Sequence, residues 1–74
     1  MSFLRALTLR QLQIFVTVAR HASFVRAAED LHLTQPAVSM QGKQLESVVG
    51  LPLFERIRGQ LTLTQPGGRL LHHA

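Results

Sequence analysis

Only four carboxylates occur in these 74 residues: Glu29, Asp30, Glu46 and Glu55. Neighbouring residues on a helix point about 100° apart, so Glu29 and Asp30 do not form the facing pair that general acid–base catalysis needs. His72 and His73 share that geometry, and His21 and His32 stand apart, so no histidine set has metal-ligand spacing. Cysteine is absent, which removes thiolate nucleophiles, cysteine–zinc sites and disulfides together. No glycine-rich phosphate loop is present. The sequence therefore predicts no enzyme, no cofactor and no metal.

The remaining chemistry is cationic and hydrogen-bonding. Eight Lys and Arg stand against four acids, for a net charge of +4, and they are spread along the chain without a like-charge run. That distribution predicts a folded basic surface and not a disordered basic tail. Leu31 to Gln44 contains no acid, yet it holds Gln35, Ser39, Met40 and Lys43. Arg26 precedes that stretch, and Arg56 and Arg58 follow it. Amide and hydroxyl groups free of carboxylates and flanked by guanidinium groups suit the edges and phosphates of a duplex. Each cation taken singly is ordinary surface, so the weight rests on their joint placement. Trp and Tyr are both missing, which argues against single-strand readers that stack bases on aromatic rings.

Length bounds what can position these groups. At 8.3 kDa the chain supports one small domain with a thin core, and 46% apolar against 16% charged residues argues against disorder. No apolar run approaches the ~20 residues of a bilayer span, and the N-terminus lacks a signal peptide's apolar segment. A domain this small without disulfides is expected in the reducing cytoplasm.

Apolar residues Leu9, Leu12, Phe15, Val16 and Ala19 recur at helical spacing, and Thr8 with Gln11 reads as a capping box. A first helix is thus predicted from about Thr8 to Ala22. Ser23 caps a short second helix whose inner face is Phe24, Ala27, Ala28 and Leu31. After a tight His32-Leu33 connection, Thr34 caps a third helix from Gln35 to Val49, with Pro36 in its first turn and Gly50 and Pro52 as stop signals. Its expected stripe is Val38, Gly42, Leu45 and Val49, with Gly42 leaving either a hole or a gap that another backbone or a bulky neighbour such as Phe15 or Phe24 fills.

Leu53–Arg56 and Gln60–Leu63 read as a hairpin joined by Ile57-Arg58-Gly59, too small to stand without packing on the helices. Thr64 caps a fourth helix from Gln65 to Ala74, with Pro66 early in it, Gly67 and Gly68 weakening its first turn, and Leu70 and Leu71 as apolar content. That pattern meets no stop signal, so the helix is expected to continue in the natural protein.

Helix, short helix, tight turn, longer helix and β-hairpin make a mainly α, winged helix-turn-helix arrangement over residues 1–63, with a linker helix beginning at 64–74. The third helix would enter a major groove, and the hairpin tip at residues 56–60 would lie on the backbone or in the minor groove. The rival reading is a protein-interaction module using the same third helix. That helix offers Gln, Ser and Met, without the aromatic or Arg anchors a protein target would favour. Helix one has too few cations on its polar face for membrane anchoring.

Leu12-Gln13-Ile14-Phe15, the run Ser23 to Leu31, the block Leu33-Thr34-Gln35-Pro36-Ala37-Val38-Ser39, Gln44-Leu45-Glu46, Leu53-Phe54-Glu55-Arg56 and Leu61-Thr62-Leu63-Thr64 resemble the opening of LysR-type transcriptional regulators. The resemblance covers nearly the whole chain. Leu7 to Gln11 and His72-His73 look similar to regulators of carbon-fixation (Calvin cycle, cbb) operons in autotrophic bacteria. The resemblance implies a bacterial, cytoplasmic protein, nucleoid-associated when bound, that contacts promoter or operator DNA. It implies base-reading positions at Gln35, Pro36, Ser39 and Met40, with Thr34 at the cap, and a wing arginine at Arg58. It also implies self-association through the fourth helix and a co-inducer bound by a separate C-terminal domain. Gly42, where the family is usually apolar, and the Gly67-Gly68 pair depart from its pattern.

Overall fold

The computed structural model describes residues 2–73; Met1 and Ala74, the expected last residue of the fourth helix, lie outside the described residues. Four helices and one hairpin follow in the order α1 (Ser2–His21), α2 (Phe24–Leu31), α3 (Gln35–Val49), β1 (Phe54–Ile57), β2 (Gln60–Leu63) and α4 (Gln65–His73). This is the predicted winged helix-turn-helix arrangement.

The first helix departs from expectation at its start. It starts at Ser2, so Thr8 lies inside it and is not its cap. Phe3 to Leu7 contain no breaker, and Leu, Arg and Ala favour helix, so a local capping signal at Thr8 does not stop the helix from extending. It ends at His21, because Ala22 takes a left-handed φ of 51°.

The buried face of α1 is also rotated from the expected stripe. Gln11, Ile14, Phe15 and Val18 are buried; Leu12, Val16 and Ala19 are half-buried, and Leu9 is 56% exposed. Gln11 is only 1% exposed, and its Nε2 donates to Gln44 Oε1 of α3 at 3.2 Å. That cross-helix bond satisfies the amide nitrogen of this core position, while Gln11 Oε1 is buried without a partner among the protein's described groups.

The caps of α2 and α3 form as their residue types dictate. Ser23 Oγ accepts from the Arg26 N–H at 3.1 Å, and Thr34 Oγ1 accepts from the Ala37 N–H at 3.2 Å. Between them His32 adopts φ 57°, and the Leu33 N–H returns to the Ala28 carbonyl at 2.9 Å, closing the tight turn. Ala27 and Ala28 are buried and carry no bulk beyond Cβ, so α2 seats closely in the core. At the other end of α3, Gly50 takes φ 84° and its N–H donates to the Glu46 carbonyl at 2.7 Å.

The hairpin is antiparallel, with Phe54 opposite Leu63 and Ile57 opposite Gln60, which leaves a two-residue turn where three residues were expected. Arg58 and Gly59 both have positive φ, 55° and 79°, the pattern of the tight turn that matches strand twist. Phe54 anchors the hairpin on the helices. Its ring centroid lies 5.2 Å from that of Phe15 and 5.6 Å from that of Phe24, so it joins two core clusters, one around Ile14, Val18, Ala27, Ala28 and Val38 and one around Phe15, Leu45 and Leu53.

Two glycines behave differently from expectation. Gly67 does more than weaken α4: it is buried, and a Cβ there would collide with the Leu53 carbonyl. Gly42 is half-buried at the mouth of an open groove, not above a sealed hole, and a Cβ there would meet only the Phe24 ring at 3.8 Å. The α3 stripe is correspondingly shorter than expected, with Val38 and Leu45 buried and Val49 39% exposed.

Candidate nucleic-acid interface

The N-terminus of α3 projects beside the wing, the β1–β2 hairpin. Gln35 lines an open groove of about 510 Å³ with Arg56, Gly59 and Gln60 of the wing and Ser23 and Val25 at the start of α2. A second groove of about 310 Å³ continues along α3, lined by Ser39, Gly42, Lys43 and Glu46 on one side and by Phe54, Glu55, Arg56 and Leu61 on the other. Arg56 borders both. Sequence positions twenty residues apart thus share one concave surface, because Phe54 docks the wing against Phe15 and Phe24.

Thr34, Gln35, Pro36, Met40 and Lys43 are exposed, and Ser39 is half-buried. Pro36, Ser39, Met40 and Lys43 follow three- and four-residue spacing, so they share one face of α3. Met40 is 54% exposed, a large apolar side chain left open to solvent on that face. Thr34 spends its hydroxyl oxygen on the Ala37 N–H and its carbonyl on the Val38 N–H, and Pro36 has no N–H, so of the first four amide positions only that of Gln35 is left for an anion, at the positive end of the helix dipole. Arg26, Arg56 and Arg58 are all exposed. Arg58 stands at the wing tip in the left-handed region, a conformation costly for a residue with a Cβ. Arg26, Thr34, Pro36, Met40 and Arg58 border neither groove, whereas Gln35, Ser39, Lys43 and Arg56 do.

Sequence reasoning missed Val25 and Gln60, which join Gln35 in the larger groove. Gln60 was legible only through the hairpin register, which sets it opposite Ile57 beside the turn. Glu46 and Glu55 line the smaller groove beside Lys43 and Arg56, and two of the four acids also serve the fold. Asp30 Oδ2 lies 3.1 Å from His21 Nε2, tying the end of α2 to the end of α1. Glu46 Oε2 accepts from the Leu53 and Phe54 N–H groups at 2.7 and 3.3 Å. Among the described residues no group of three or more His, Asp or Glu is placed to hold a metal ion. Among those residues, too, no helix is long and apolar enough to cross a membrane.

Residues 9–68 match the family of bacterial regulatory helix-turn-helix proteins, lysR family. The chain belongs to the LysR family. Its domain is 89% identical over 73 residues to the HTH-type transcriptional regulator CfxR of Cupriavidus necator, covering 99% of this chain and 23% of that protein. It is 57% identical over 67 residues to the RuBisCO operon transcriptional regulator of Allochromatium vinosum, covering 90% of this chain and 22% of that one. The crystal structure of the CbnR DNA-binding domain in complex with DNA superposes with a TM-score of 0.81 at 36% identity, over 86% of this chain and 74% of that chain. The LysR-family chain described here thus spans about a quarter of the length of these curated relatives.

Proposed function

We propose that this chain is the sequence-specific, double-stranded-DNA-binding domain of a LysR-type transcription regulator acting on carbon-fixation genes. The observation that carries the reading is the common concave surface on which the acid-free half of α3 meets the basic wing. In this reading Gln35, Pro36, Ser39 and Met40, with Thr34 at the cap, face base edges in a major groove. Arg26, Lys43, Arg56 and Arg58 face phosphates, with Arg58 at the tip suited to a narrow minor groove. The names of the Cupriavidus and Allochromatium relatives support the regulatory role, and the second supports a carbon-fixation operon as target. The whole protein associates with a second copy through α4, senses a co-inducer in a further domain, and works in the cytoplasm.

Fluorescence anisotropy on a duplex from a RuBisCO operon promoter, compared with a scrambled duplex, tests this reading. Gln35→Ala or Ser39→Ala loses ~1–3 kcal/mol on the promoter duplex and less on the scrambled one. Equal losses on both would show that these side chains read no base.

A further inference from the structure

Glu46 lies in the second half of α3, where a DNA-binding surface gains nothing from a negative charge. Its backbone carbonyl accepts from the Gly50 N–H at 2.7 Å, closing the helix. Its carboxylate oxygen Oε2 accepts from the N–H groups of Leu53, just before β1, and Phe54, the first residue of β1. The same segment then holds the next element. The Pro52 carbonyl accepts from Thr64 Oγ1 at 2.6 Å, and the Leu53 carbonyl accepts from the Thr64 N–H at 3.0 Å. Thr64 Oγ1 in turn accepts from the Gly67 N–H at 3.0 Å and starts α4.

Resting on the DNA-binding reading above, we infer that Glu46 is a positioning residue for recognition: its carboxylate sets the wing and the root of α4 against α3. A carboxylate accepting two amides is a charge-assisted clamp, stronger than its neutral counterparts. Without it the strand entering the wing keeps Phe54 in the core but loses the anchor that fixes Arg56 and Arg58 relative to Gln35 and Ser39.

The test rests on a difference in sign. Electrostatics alone says that removing an acid tightens DNA binding, because repulsion from phosphates falls. Glu46→Met and Glu46→Gln remove the same charge and keep similar length, but only glutamine keeps an acceptor oxygen. Salt-series anisotropy is run well below each variant's melting midpoint, so that folded protein is compared. Glu46→Gln binds the promoter duplex at least as tightly as wild type. Glu46→Met binds at least about fivefold more weakly, and its salt slope is shallower by about 0.9, the share of one lost phosphate contact. Adding Arg58→Ala to Glu46→Met costs less than it does in wild type, since the tip is already displaced. If Glu46→Met does not fold, Glu46→Asp takes its place, with the charge kept, the reach one methylene shorter and the same loss expected. Folded Glu46→Met or Glu46→Asp binding as tightly as Glu46→Gln, with an unchanged slope, overturns the inference. A wild-type protein showing no salt-dependent duplex binding overturns the DNA-binding reading itself, before any variant is compared.

Discussion

Arg58 shows how a single residue sets stability against recognition. The two-residue turn holds it at φ 55°, where a Cβ crowds the backbone and costs roughly 1–2 kcal/mol. Asparagine tolerates this region and removes the charge. Arg58→Asn therefore raises the thermal midpoint while weakening binding to any duplex and making the salt slope shallower by about 0.9. A midpoint that falls would show that the arginine side chain supports the turn in some other way. Gly42 carries a milder conflict. Its Cβ position is open apart from the Phe24 ring at 3.8 Å, so Gly42→Ala stabilises by about 1 kcal/mol through helix propensity. Isoleucine adds little beyond alanine, because its extra carbons enter an open groove and not a dry cavity. Thermal melts of both variants decide the order.

Element junctions depend on which backbone atoms approach one another. The start of α4 runs against the Leu53 carbonyl, which is already engaged by the Thr64 N–H and cannot retreat. Gly67→Ala therefore costs roughly 2–4 kcal/mol, from a clash with backbone that has no room to relax. Gly68, one residue on, has nothing within 4 Å of its Cβ position, and Gly68→Ala is neutral or stabilising by up to about 1 kcal/mol. Chemical denaturation of the two variants side by side reads the contrast directly, and equal effects would mean that α4 does not seat against Leu53. The α1–α2 junction makes the opposite case. Ala22 occupies φ 51° without needing a side chain there, so Ala22→Gly gains about 1 kcal/mol. Its thermal midpoint rises, with DNA affinity unchanged.

Across the whole molecule, a net charge of +4 on a small body acts as a field more than as separate ion pairs. Among the described residues the one His/Lys/Arg-to-carboxylate side-chain contact within 4 Å is His21–Asp30, so Arg26, Lys43, Arg56 and Arg58 of the candidate surface make none. If Arg26, Lys43, Arg56 and Arg58 each meet one phosphate, the log–log dependence of affinity on salt has a slope of about −3.6. An affinity that stays flat between low and moderate salt would remove the electrostatic basis of the assignment.

The caps and turns of α2 and α3, the stop at Gly50 and the presence of a hairpin were legible in the residues themselves. Ser23 and Thr34 bond amides three positions away, and such signals complete within one turn of chain. The acid-free half of α3 was equally plain, since composition along a helix needs no partner to be seen. The tertiary structure decided which face of α1 is buried, because Gln11 belongs inside only when Gln44, thirty-three positions away, comes to meet it. It decided that Gly67 is obligatory and Gly42 is not, since what a missing Cβ leaves room for depends on a neighbour brought there by folding. It also joined Gln35 to Arg56 across one groove and turned Glu46 from a stray acid into a clamp on the wing. Local hydrogen bonds are written within a few residues. Close approach between distant segments depends on how every element packs at once, and no short window of sequence contains it.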